Sequence, residues 1–174
     1  MKRVLFILGQ LSDLDIEWMI RNGGKRVVHD GENIIQQGAH VENLYIILSG
    51  TFSIVNEKNN FQEIARIGSG EIVGEMSFID TSPPSATVTS KGASEVYVLP
   101  KEVIKKKLES DVDFAARFYY AIAQFLSHRL RTTIGNLGYG DAQEDLDELD
   151  FNILSKVSQA GGRFDRILKK FSET

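Results

Sequence analysis

The sequence predicts a mainly β fold with flanking helices, an antiparallel sandwich or barrel, and three observations carry that expectation. Between Lys25 and Leu99, short β-branched or aliphatic runs alternate with turn residues, no long helical segment interrupts them, and the strongest helical periodicity follows them, from Asp111 to about Ile134. Short strands at regular spacing with breakers between them build sandwiches and barrels, whereas a doubly wound sheet needs a helix after each strand.

Each element has a local reason. Ser12 followed by Asp13, Asp15 and Glu17 has the form of an N-cap with acidic residues in the first turn, where they complement the helix dipole, and Gly23-Gly24 ends the helix. Leu14, Trp18 and Leu11 fall at helical spacing and are expected on its packed face. Strands are expected at Arg26 to His29, Asn33 to Gln36, Leu44 to Leu48, Thr51 to Val55, Gln62 to Ile67, Ala86 to Thr89 and Glu95 to Leu99. The breakers are Asp30-Gly31, Gln37-Gly38, Ser49-Gly50, Asn56 to Asn60, Gly68 to Gly70 and Lys91-Gly92.

Pro100 suits the first turn of a helix over Lys101 to Leu108, and Ser110-Asp111 starts a second. In that second helix Phe114, Phe118, Ile122, Phe125, Arg129 and Thr133 form a stripe that is apolar early and polar late. The stripe has two possible partners, the strands of its own chain or a copy of itself, and a homodimer through the Asp111 to Ile134 helix is the expected way to cover it. Gly135 to Gly140 is expected to break the helix. Beyond it come an acidic run, Asp141 to Asp150, and apolar residues at helical period from Ile153 to Phe171, interrupted at Gly161-Gly162. The domain division is thus 1–134 for the folded unit and 135–174 for an amphipathic helical tail.

Composition narrows function. A net charge of −4 offers no footprint for a polyanion, so DNA binding is not expected. The absence of cysteine removes disulfides, thiolate metal sites and thiol nucleophiles. The run Val4 to Leu8 after Met1-Lys2-Arg3 is too short for a signal peptide, and no apolar stretch approaches the roughly 20 residues that cross a bilayer, so a cytoplasmic protein without membrane contact is expected. His29, His40 and His128 have no ligand-like spacing, and no nucleophile elbow, P-loop or zinc-protease motif is present, so neither a metal, a cofactor nor catalysis is expected.

One constellation carries chemistry. In Gly74-Glu-Met-Ser-Phe-Ile-Asp-Thr-Ser-Pro-Pro-Ser-Ala-Thr-Val88 a glycine permits close backbone approach, a carboxylate follows, and small hydroxyl residues lead into a strand. A short helix there turns N–H groups toward an anion, and Ser85 and Thr87 add hydroxyls. Taken alone, Gly74, Ser85 and Thr87 serve a fold equally well, and Glu75 serves as a helix cap or an internal ion-pair partner.

The run Gly68-x-Gly70-x-x-x-Gly74-Glu75, the Ala86-Thr87-Val88 exit and the turn glycines resemble the cyclic-nucleotide-binding domain family of catabolite-activator-like regulators, kinase regulatory subunits and cyclic-nucleotide-gated channels. The resemblance spans roughly Leu8 to Ile134. It implies an eight-stranded antiparallel double-stranded β-helix (a β-roll, jelly-roll-like), followed by a long helix, with a cassette for cyclic AMP or cyclic GMP. It further implies that Glu75 accepts a hydrogen bond from the ribose 2′-hydroxyl and that Gly74, Met76 and Ser77 offer backbone N–H groups to the phosphate. Ser85, with Ala86 and Thr87 after it, completes the phosphate side. Arg129 to Thr133 resembles the Arg-Leu-x-x-Thr stretch that reaches the base, with Thr133 as the contact and Arg129 its neighbour.

Where family binders carry an arginine directly after the cassette proline, this chain has Pro84. Proline brings neither the charged fork of guanidinium nor an N–H. Arg66, Lys91 and Arg129 are the candidate replacement cations. Catabolite-activator-like regulators carry a winged helix-turn-helix after the long helix; here about forty residues remain and they begin with acid, which leaves no complete DNA-binding domain. The expected function is a stand-alone sensor or regulatory module that signals to an unidentified effector protein. The alternative is a degenerate pocket serving as a protein-interaction or scaffold domain, or binding another small anion.

Overall fold

The computed structural model describes residues 9–136 and residue 169. In chain order the elements are α1 (Asp13–Asn22), β1 (Gly24–Val28), β2 (Asn33–Ile35), β3 (Asn43–Ser49), β4 (Thr51–Asn56), a 3-10 turn (Glu57–Asn59), β5 (Gln62–Gly68), β6 (Ile72–Val73), α2 (Glu75–Ile79), β7 (Thr87–Ser90), β8 (Ser94–Pro100), α3 (Lys101–Ser110) and α4 (Val112–Asn136). Two four-stranded sheets form, ordered β1-β8-β3-β6 and β2-β7-β4-β5. Every strand pairing is antiparallel. This is the expected β-roll with a long helix after it. The one strand not anticipated is β6, whose two residues between Glu71 and Gly74 are too few to show a period.

The layers follow from side-chain alternation. On β3, Leu44, Ile46 and Leu48 join the core under the helices, while Tyr45 and Ile47 join the core between the sheets. A strand buried on both faces reads as a continuous apolar run, which is the texture of Leu44 to Leu48. The order of layers is therefore helices, first sheet, second sheet.

Ser12 caps α1 in a capping box with Asp15, as the sequence indicates. Leu11 is buried and Trp18 packs on the core against Phe114, as expected, but Leu14 is 76% exposed, and Ile16 and Met19 take the buried face of α1. The helix phase is set by Asp15, which is buried and receives two hydrogen bonds from Arg117 of α4, 2.7 and 3.0 Å long. Leu14, next to it in sequence and about 100° round the helix, is turned outward. Gly23 ends α1 where a Cβ would lie 2.4 Å from the Tyr97 ring and 2.7 Å from the Val98 carbonyl oxygen. Tyr97 in turn donates from its hydroxyl to the Ile20 carbonyl at 2.6 Å, stitching α1 to β8.

Pro100 is the N-cap of α3 and not a first-turn residue. Asp111 caps α4, accepting from the Phe114 N–H at 2.9 Å. The stripe of α4 packs on its own chain: Phe114, Phe118, Ala121, Ile122 and Phe125 are all buried in the helix-side core. These aromatic residues need no second copy to cover them. Gly135 and Asn136 remain helical, which corrects the break expected from Gly135, and the rest of that expected break, residues 137–140, lies outside the described residues. The tail of residues 137–174, apart from Lys169, lies outside the described residues.

Candidate functional site

A cavity of about 750 Å³ opens where α2, the loop before β7, β5 and the last turns of α4 meet. That volume is within the range of small-molecule sites. Its floor is apolar, from Ile35, Ile54, Ile67, Val73 and Val88, and its polar groups come from the cassette and from α4.

Gly74 is the N-cap of α2 and has φ +90°, a left-handed conformation that favours glycine. A Cβ there would also stand 2.7 Å from the Asn43 carbonyl oxygen. This geometry sets the first residue of α2, Glu75, into the interior, where it is 2% exposed. Burial pushes the Glu75 carboxyl above its ordinary value, while the charge of Arg129 and its own backbone N–H pull it back. Arg129 donates directly to Glu75 Oε1 across 54 residues of sequence. Its guanidinium also stands over the Phe125 ring, 5.2 Å from the centroid.

The cavity brings together most of the residues singled out from sequence. Gly74, Glu75, Met76, Ser77, Ser85, Ala86, Arg66, Arg129 and Thr133 all line it. Pro84 lines it too, and its carbonyl is held by the Gly38 N–H at 2.9 Å. Thr87 is the exception. It does not line the cavity; its buried hydroxyl donates to Glu57 and accepts from the Gln37 N–H at 2.9 Å. On a strand, neighbouring side chains point to opposite faces, and Val88 takes the cavity side.

The candidate cations have different positions. Lys91 is not among the lining residues. Arg66, exposed on β5, reaches the cavity and pairs with Glu63 at 2.7 Å. Arg129 lines the cavity, but its charge is engaged with the Glu75 carboxylate. The residues missed from sequence are chiefly the apolar floor, since Ile54 or Val88 reads as ordinary strand core, and Thr132, which lies beside Thr133 at the polar end of the α4 stripe. Among the described residues, no group of three or more His, Asp or Glu side chains could hold a metal ion, and no helix is long and apolar enough to cross a membrane.

Residues 25–111, half of the chain, match the family model of the cyclic nucleotide-binding domain. A cAMP-dependent protein kinase regulatory subunit of Mucor circinelloides f. lusitanicus is 28% identical over 89 residues, which cover 51% of this chain and 21% of that protein. The match thus spans about a fifth of the length of that curated relative. Among solved structures, a cyclic nucleotide-binding domain from Methylobacillus flagellatus KT superimposes with a TM-score of 0.71 at 21% identity, covering 82% of this chain and 85% of that one. The regulatory subunit of a cAMP-independent protein kinase A from Trypanosoma brucei gives a TM-score of 0.52 at 24% identity, covering 59% and 41%. At these identities the structural likenesses establish the fold.

Proposed function

The chain belongs to the cyclic nucleotide-binding domain family, and from that premise we propose that it is a non-catalytic regulatory module whose cavity takes cyclic AMP or cyclic GMP. The observation that carries this is the convergence of Glu75 from the cassette with Arg129 and Thr133 from α4 on one cavity. The groups have complementary tasks. Glu75 accepts from the ribose 2′-hydroxyl, the Ser85 hydroxyl and the backbone of Met76 and Ser77 face the cyclic phosphate, and Thr133 reaches the base.

The same geometry supplies a way to signal. A ribose hydroxyl donating to Glu75 competes with the Arg129 guanidinium, which is then available to the phosphate that Pro84 cannot serve. Because Arg129 is carried by α4, that exchange changes what holds the end of the helix. Occupancy is thereby coupled to α4 packing, by as much as the ligand prefers the rearranged state. An effector protein, and the tail that follows α4, read the change.

Calorimetry with cyclic AMP and cyclic GMP tests the ligand directly. Saturable heat lost in Glu75→Ala supports the assignment; no heat at millimolar ligand removes it.

A second reading has specific support: a repurposed cavity that binds no cyclic nucleotide, serving as an interaction domain or taking another small anion. Pro84 withholds the charged fork, Glu75 and Arg129 satisfy each other, and a relative of this fold is described as cAMP-independent. Affinity capture of partners with and without residues 141–174 separates this reading from the first.

Homodimerisation through α4 rests on residues other than the buried aromatic stripe, since Tyr119, Tyr120, Leu130 and Ile134 stay exposed on that helix. Light scattering at tens of micromolar is expected to give twice the chain mass, and a monomeric mass overturns the dimer. The net charge of −4 speaks against direct DNA binding.

A further inference from the structure

A second cavity of about 760 Å³ lies on the other side of the Thr81 to Pro83 segment, between the Gly38 to Asn43 loop and the start of α3. Ser77, Ser82 and Pro83 line both cavities, but Glu75, Ser85 and Arg129 line only the first. We propose that this second cavity is an oxyanion site that takes a small phosphate- or carboxylate-bearing ligand against Lys101.

Three independent features of the residues support it. Lys101 lines the cavity and is 5% exposed, and among the described residues its ammonium has no hydrogen-bond partner. Three donors on a buried cation normally find acceptors, so an ammonium left without them marks a place where an acceptor belongs. The ten-residue helix α3 begins at this cavity, with Pro100, Lys101 and Glu102 in its wall and no side chain capping its first turn. Of its first N–H groups, that of Lys101 is bound to the Glu42 carbonyl at 2.8 Å. The dipole and the remaining N–H groups favour an anion. Finally, Ser77 and Ser82 line the same cavity with hydroxyl side chains, as does Thr81, whose hydroxyl donates to the Asp80 carbonyl at 2.6 Å.

The charges around Lys101 favour an anion beside it. Lys105, one helical turn on, lines the same cavity and disfavours a second ammonium beside it. Burial adds to that penalty, and the attraction of Glu75 and Asp80 relieves it without a hydrogen bond to either. The acids in the wall are Glu42 and Glu102, and Glu102 is 76% exposed and turned to Lys105 at 3.0 Å. An oxyanion at Lys101 supplies the acceptor that its ammonium lacks and offsets the repulsion from Lys105.

Thermal unfolding of the full chain in sodium phosphate, sodium succinate and sodium chloride, at matched ionic strength and pH, tests this site. Phosphate or succinate is expected to raise the wild-type midpoint above the chloride control in a saturable way. In Lys101→Met the chloride midpoint is expected to hold or rise, because a buried cation is removed, while the apparent affinity for the anion falls at least about 30-fold. Lys91→Ala, which removes a lysine charge outside both cavities, keeps the full anion response. If Lys101→Met does not fold, Lys101→Gln carries the same comparison. The proposal is overturned if neither anion exceeds chloride in the wild type, or if the response survives loss of the lysine charge. Cyclic nucleotide titrations of the first cavity are separate, so failure here leaves the proposed function standing.

Discussion

Glu75 and Arg129 form the ion pair on which the first cavity is built, with side chains 2% and 21% exposed. Removing one partner of a buried pair leaves a charge that neither water nor protein satisfies. Arg129→Met is therefore expected to lower stability by about 3–5 kcal/mol in urea unfolding at neutral pH. Glu75→Gln added to it is expected to restore most of the loss, because the stranded charge is gone. The pH dependence has a definite sign. Burial raises the Glu75 carboxyl in the folded state, so its protonated form stabilises the fold at pH values below its unfolded value, and that contribution is lost as pH rises through the folded value. Without Arg129 the folded value climbs further, so the deficit of Arg129→Met shrinks on acidification from pH 7 toward pH 5. A deficit that is constant with pH, or not relieved by Glu75→Gln, contradicts this role.

At the scale of elements, α4 does two jobs along one stripe. Its first turns bury Phe114, Phe118, Ile122 and Phe125, and its last turns present Arg129, Thr132 and Thr133 to the cavity. Phe118 also meets Phe78 of α2 edge-on, with centroids 5.7 Å apart, so the cassette helix and α4 share a contact beneath the site. At its other end α4 is tied to α1 by Asp15 and Arg117. Burial pushes the Asp15 carboxyl up, but the Arg117 fork and the Ser12 backbone and hydroxyl outweigh it and hold the carboxyl below its ordinary value. A depressed carboxyl stabilises the fold above its unfolded value, near pH 4, and that contribution is lost as pH falls through the lower folded value. Asp15→Asn is expected to lower the urea midpoint at pH 7, with the difference fading at pH 3. An equal difference at both pH values argues against the tether.

Much of this was legible in the chain because it is local. Ser12 and Asp15 are three residues apart, turn glycines announce themselves, and the polar end of the α4 stripe marks where that helix leaves the core. What was not legible depends on distant partners. Leu14 is a fair core candidate until Arg117 draws Asp15 inward, and the phase of α1 turns with it. Thr87 has the right type and position for a phosphate contact, yet Glu57 and Gln37 claim its hydroxyl. Arg129 was visible as a cation near the site, but its engagement with Glu75 joins segments 54 residues apart and leaves no periodic trace.

For the molecule as a whole, the helices, the two sheets and the cassette form one frame around two neighbouring cavities divided by the Thr81 to Pro83 segment. The first cavity is lined by Glu75, to which the proposed function gives the ribose 2′-hydroxyl, and by Pro84, at the position where the family resemblance implies an arginine. Losing a charged hydrogen bond to phosphate costs about 1.5–3 kcal/mol or more, which shifts affinity by roughly one to two orders of magnitude without abolishing it. Isothermal titration of the full chain with cyclic AMP and cyclic GMP is the most direct test of the central proposal. A saturable one-site isotherm, abolished by Glu75→Ala, is the predicted result. The absence of heat with either nucleotide at millimolar concentration, from a chain shown by thermal unfolding to be folded, contradicts it.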